Sequence, residues 1–373
     1  MENKEKFTQN FLVELGPIEY SLLANIAVSL IMLYSTKKWM KDYNIRREYK
    51  PKNIGKVILP PELTQEYSDV DIKKWASQKF GAAVSHFVEV MKDKFPTTDL
   101  TNFYNNLNEL KINSKDVVLR PGVSGIYNAR NNEIYVDEDE WGSTALYHEL
   151  FHMSSRTFKD EVAYCGFKQV SDDFYLAEGI NEGYTQLLTE RYFDDNTPAY
   201  IYQVYVVDKL EKIVGQEKME SLYLNSNLFG LVTELKKYVS EEEISKFISD
   251  TDFLHEILHK QKKVYQSKNK RITSAFNDVN DFLLKAYIKM ICNQFENVVM
   301  HYDDIEKISD NYAAYGSSLI RGLKKCKLFY GIPTNNDHME TTEKFNKIFE
   351  DILSGYKFVI DIENQNEIVS KGR

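Results

Sequence analysis

Cysteine is scarce in this 373-residue chain: Cys165, Cys292 and Cys326 are odd in number and scattered. Such spacing supports neither a disulfide framework nor a cysteine metal cluster, and a reducing, intracellular setting is expected. A basic excess is missing as well. Lys and Arg total 47 against 56 Asp and Glu, a formal net charge of −9. That balance argues against a general nucleic-acid binder, because neutralising phosphates requires a cationic face. No repeat period or low-complexity tract stands out. With 43% hydrophobic and 28% charged residues, the chain is expected to bury a sizeable core in two or three modules.

One apolar run stands out, Tyr20 to Thr36 (YSLLANIAVSLIMLYST), uncharged but diluted by Asn25 and three serines. It matches the shortest helix able to cross a bilayer. The leader before it is not clearly basic and no small-residue cleavage site follows, which argues against a secretory signal. Two readings stay open. The run is either a membrane anchor, whose following basic stretch KKWMKDYNIRREYKPK holds the bulk of the chain on the cytoplasmic face, or a helix docked on the body. Both leave the rest of the protein in the cytoplasm.

Periodicity predicts helices from about Asp69 to Phe95, with Phe80, Val84, Phe87, Val88 and Met91 on one face, and from Asp99 to Lys111. Between Asp116 and Asp137 the pattern turns to strands: VVLR, then GIYNA, a turn at Asn131-Asn132 and EIYVD, which reads as a hairpin. Further helices are expected from Ser143 or Thr144 to Ser155 and from Ile180 to Phe193, with a loop between them holding Cys165, Gly166 and Asp172-Asp173. From Ala199 onward the chain reads as helix: Tyr202–Val214, Lys218–Leu224, Phe229–Tyr238, Glu241–Asp250, Phe253–Val264, Phe276–Tyr302 and Glu340–Ser354. Ser240 and Glu243 have the spacing of a capping box.

Chemistry concentrates in HELFH, where His148 and His152 lie four residues apart and Glu149 between them. On a helix that spacing points both imidazoles from one face toward a common ion, and the carboxylate reaches a zinc-bound water as general base. The sequence holds a second HExxH in His255, Glu256 and His259. Context separates the two. Ala145, Leu146, Leu150, Phe151 and Met153 surround the first, as befits a buried helix, whereas lysines at Lys260, Lys262 and Lys263 mark the second as a solvated helix end. The third ligand is Glu182 in NEGYTQ, where small Gly183 allows close approach to the HELFH helix; Glu178, one turn earlier, is the competitor.

At HELFH plus NEGYTQ the chain resembles the gluzincin metallopeptidases, over roughly Gly125 to Asp194. The resemblance implies a zincin-like catalytic module and Zn2+ held by His148, His152 and Glu182. Glu149 would act as base in hydrolysing a peptide or protein substrate. It also implies that the strand before the metal-binding helix, Glu133 to Asp137, offers its edge to substrate. Gluzincins commonly carry an aspartate four residues after the ligand glutamate, where this chain has Gln186, whose amide oxygen can still accept the imidazole proton. The transition-state donor stays open among Tyr184, Tyr202, Tyr205, Tyr223 and His301.

The expected fold is a mostly helical α+β arrangement: an apolar helix and basic linker (1–50), the catalytic module with a small sheet (51–198), and a C-terminal helical module closing the cleft (199–373). Two other functions remain open, a catalytically inactive zinc-bearing binding or regulatory protein and a metal-free helical interaction protein.

Overall fold

The computed structural model describes residues 80–113, 123–136, 142–171, 174–195, 199–260, 270–295, 299–300, 302–332, 334, 337–356 and 359–360. The Tyr20–Thr36 run and the VVLR segment lie outside them. Among the described residues no helix is long and apolar enough to cross a membrane.

Two helices open the fold, α1 (Gly81–Lys94) and α2 (Thr101–Glu109). Val84, Phe87, Val88 and Met91 lie on one face of α1 and are buried, as their spacing predicts. The chain then makes β1 (Lys111–Asn113), β2 (Gly125–Asn128) and β3 (Glu133–Val136). The expected hairpin forms from β2 and β3, but β1, read as the end of a helix, pairs parallel to β3 on its other side. The strand order β1-β3-β2 therefore makes β3 central. This overturns the expectation that Glu133 to Asp137 offers a free edge; among the described residues the strand paired on one side only, next to the HELFH helix, is β2.

Helix α3 (Gly142–Ser154) carries HELFH. Leu146, Leu150, Phe151 and Met153 on it have no exposed surface, so apolar contacts wrap the helix on more than one side. Each such side chain contributes about 1.5–3 kcal/mol through burial. The segment that follows is not a loop. It is an antiparallel meander of β4 (Thr157–Lys159), β5 (Val162–Cys165), β6 (Lys168–Val170) and β7 (Tyr175–Leu176). Its strands are two to four residues long, too short for a period-2 pattern to show. The meander delivers the chain to α4 (Glu178–Phe193), which carries Glu182.

Beyond lie α5 (Ile201–Val214), α6 (Gln216–Leu224), α7 (Leu228–Leu235) and α8 (Glu241–His255). The capping box is present: Glu243 N–H donates to the Ser240 hydroxyl at 3.3 Å, and Ser240 N–H to the Glu243 carboxylate at 3.0 Å. No break separates Asp250 from Phe253; α8 runs on to His255 and a π-helical turn, Glu256–Lys260. Helix α9 (Lys270–Gln294) ends before the expected Tyr302. A short strand β8 (Val299–Met300), a long helix α10 (Tyr302–Phe329), α11 (Asp337–Ser354) and β9 (Val359–Ile360), parallel to β8, complete the order.

The whole is a mostly helical α+β fold in which one hydrophobic cluster runs from Val84 on α1 through Leu150 and Tyr184 to Phe345 on α11. Helix α4 crosses its middle and packs against α3, α5 and α8.

Candidate metal centre

Helix α3 presents His148 and His152 one turn apart, their rings 4.8 Å between centroids and near perpendicular. Their Nε2 atoms lie 3.1 Å from each other, and each stands 3.4 Å from Oε2 of Glu182 on α4. The triangle suits a cation. Zinc holds such donors at about 2.0–2.1 Å, and at tetrahedral angles that bond length sets neighbouring donors about 3.3 Å apart. Among the described residues, these are the ones whose His, Cys, Asp or Glu donors gather closely enough for one ion. Glu178 does not join them: its carboxylate pairs with Lys168 at 3.0 Å.

Electrostatics oppose leaving the triangle without a cation. Burial resists charging Glu182, yet the His152 and His148 imidazoles hold its carboxyl well below the usual range. Burial likewise resists protonating His152, and Glu182 and Cys165 nevertheless push its pKa well up. A buried carboxylate against two imidazoles therefore draws in positive charge, from protons or from a metal ion.

Glu149 stands beside this group, buried at 7% exposure. Burial raises its pKa, with the two histidines pulling the other way, and the Tyr127 backbone N–H donates to its carboxylate. The side of β2 away from β3 thus faces the site. Gly125 on the same strand has to be small, because a Cβ there would lie 2.9 Å from Glu149 Cγ.

Each histidine is oriented from behind. His148 Nδ1 stands 3.1 Å from Gln186 Oε1. Around His152 Nδ1 are Thr185 Oγ1 at 3.3 Å, Asn181 Nδ2 at 3.2 Å and Cys165 Sγ at 3.8 Å. The Thr185 hydroxyl donates its one proton to the Asn181 carbonyl at 2.8 Å, so it accepts from the Tyr223 hydroxyl at 2.6 Å. It can also accept from His152. A cation on Nε2 forces the imidazole proton onto Nδ1 and selects Thr185 over the competing Asn181 amide as its partner.

Helix α4 is anchored from a distance. It begins at Ala177, whose φ of 59° is left-handed and whose side chain cannot cap. Asp252 on α8 supplies the cap, accepting the N–H groups of Ala177 and Gly179 at 2.8 Å each, and burial pushes its carboxyl up to about 7.

Of the second HExxH, His255 packs into the body of the protein. Its ring stacks on Tyr200, at 5.9 Å and 17°. Tyr200 stacks with His148 as well, at 5.4 Å and 14°. Tyr200 also hydrogen-bonds Glu182, and burial first, then Glu182 and Glu149, hold its hydroxyl protonated well beyond the usual tyrosine range. Its φ of 51° puts a non-glycine residue in the left-handed region, a strain of about 1–3 kcal/mol that collects at functional sites. Sequence reasoning missed it; among 25 tyrosines nothing in its neighbours singles it out.

The tyrosines that sequence put forward are engaged elsewhere. Tyr184 donates to Glu211 at 2.8 Å, Tyr205 to Asn280 at 3.0 Å, Tyr202 packs edge-on against Phe276, and Tyr223 hydrogen-bonds Thr185 behind His152. His301 lies outside the described residues. No family model, curated protein or solved structure matches the chain.

Proposed function

We propose that the chain is a zinc-dependent metallopeptidase, with His148, His152 and Glu182 as ligands and Glu149 as general base. The observation that carries this is the 3.1, 3.4 and 3.4 Å donor triangle with a buried, pKa-raised carboxylate beside it. Bound zinc would supply a water acidified into the neutral range and a polarised substrate carbonyl. The chain's own residues do the rest. Glu149, held by the Tyr127 N–H, takes the proton released on attack and passes it to the leaving amine. An extended peptide would add along the side of β2 that no strand occupies among the described residues, at the backbone groups Glu149 leaves available, which provide affinity without demanding a particular side chain.

Tyr200, protonated at all working pH values and bonded to Glu182, is the donor best placed to turn toward a developing oxyanion. Replacing Tyr200 with Phe should lower kcat about 100-fold while zinc content and KM hold. An unchanged kcat would remove Tyr200 from the mechanism.

The reading is tested by metal analysis. Purified protein should carry one zinc per chain and cleave unstructured peptides until a chelator strips it. His152→Ala should lose both metal and cleavage, and His259→Ala in the second HExxH should keep both. Stoichiometric zinc with no cleavage of any peptide would favour an inactive zinc-bearing protein instead, and the absence of metal would favour a helical interaction protein.

A further inference from the structure

Gln186 occupies the place behind His148 where a carboxylate would be the stronger acceptor. Its amide is fully engaged: Oε1 faces His148 Nδ1 at 3.1 Å, and Nε2 faces Asp195 Oδ2 at 3.1 Å and Glu190 Oε1 at 3.3 Å. An amide nitrogen has two protons, and here each has a carboxylate to go to. Gln186 and Asp195 are buried, at 2% and 7% exposure. Asp195 lies two residues past the end of α4, nine residues from Gln186.

Amides can turn over, exchanging oxygen and nitrogen. Turned over, Gln186 would aim its oxygen at two carboxylates and its NH2 at His148. Nδ1 would then have to accept, and the imidazole proton would move to Nε2, the atom that faces Glu182 and His152. A protonated Nε2 cannot ligate a metal. Asp195, and Glu190 while it is ionised, can only accept, so they fix the amide's orientation, and the amide fixes the tautomer of His148.

We propose that Asp195, with Glu190 in support, is a positioning residue for metal binding: it locks the Gln186 amide so that His148 keeps its proton on Nδ1 and its Nε2 lone pair on the metal. This relay moves the carboxylate one residue outward and transmits its effect through a neutral amide. The inference rests on the zinc-site reading above.

Zinc dissociation constants, measured by chelator competition on the full chain, test it. Asp195→Asn should weaken zinc binding about 10- to 100-fold, because asparagine no longer forbids the turned-over amide. Gln186→Glu alone should also weaken it, since the introduced carboxylate then opposes Asp195. The triple variant Gln186→Glu with Asp195→Asn and Glu190→Gln should return to within about threefold of the parent, the carboxylate now accepting directly from His148 and both neighbouring amides donating to it. A purely structural role for Asp195 gives no such recovery. Should Asp195→Asn fail to fold, 15N NMR of the zinc-free parent still decides: His148 must carry its proton on Nδ1, and a neutral His148 with its proton on Nε2 overturns the relay. Equal zinc affinity in the parent and Asp195→Asn overturns the relay while leaving the zinc site standing. A parent chain that takes up no zinc overturns both.

Discussion

Replacing Glu149 with glutamine should abolish peptide cleavage, by about 10³- to 10⁴-fold in kcat, and leave zinc bound at the parental level. The substitution is close to isosteric, and the Tyr127 N–H that now meets the carboxylate can donate to the amide oxygen as readily. His148, His152 and Glu182 are untouched, so metal content isolates loss of the base from loss of the site. Only proton acceptance is removed. The pH profile of the parent carries the same signature. A base works when ionised, so the rate falls as pH drops through the pKa of Glu149, and burial sets that acidic limb above the ordinary 4.5. Retention of full cleavage by Glu149→Gln, measured on a peptide substrate with zinc quantified in the same sample, would remove the proposed base.

Gly183→Ala should destabilise the fold by up to about 2 kcal/mol net and weaken zinc binding with it. Alanine is the better helix former by about 1 kcal/mol, which alone predicts stabilisation. Packing decides otherwise. A Cβ at Gly183 would lie 2.5 Å from the Gln203 carbonyl oxygen and 2.6 Å from its carbon, backbone atoms of α5 that cannot rotate away. Overpacking of that kind costs about 1–3 kcal/mol and is relieved by separating the helices. Because Glu182 is the preceding residue, any shift of α4 carries its carboxylate off the 3.4 Å positions beside the imidazoles. Thermal unfolding and zinc titration of the variant check the two effects; a melting temperature at or above the parent's would show that α4 and α5 have room to spare.

Gly183 also shows where reading the sequence stopped short. Its smallness is legible in NEGYTQ, and close approach of Glu182 to the HELFH helix is the natural inference. The structure assigns the close approach to α5 instead. The residue type records that something comes near; only the packing tells what. Tyr200 is a sharper case, since its importance lies in two ring contacts, to His148 and His255, whose partners are far away in the chain. Asp252 likewise is an ordinary helical acid until α8 lies against the start of α4. Helix α10, by contrast, could have been read: Ile308, Tyr315, Leu319, Leu323 and Cys326 are buried at helical spacing, and its glycines and serines obscured the pattern.

The helices carrying HELFH and NEGYTQ, the capping box at Ser240, the β2-β3 hairpin and the residue types of the centre were all written in the order of the amino acids. Each of these depends on neighbours within one or two turns, and a 3.6-residue or two-residue period is a local property of the chain. It took the assembled fold to make β3 the central strand, to leave β2 paired on one side only among the described residues, and to bring Glu182 rather than Glu178 to the imidazoles. Those outcomes are set by which distant surfaces pack together. Burial patterns record that a face is covered and carry no address for what covers it.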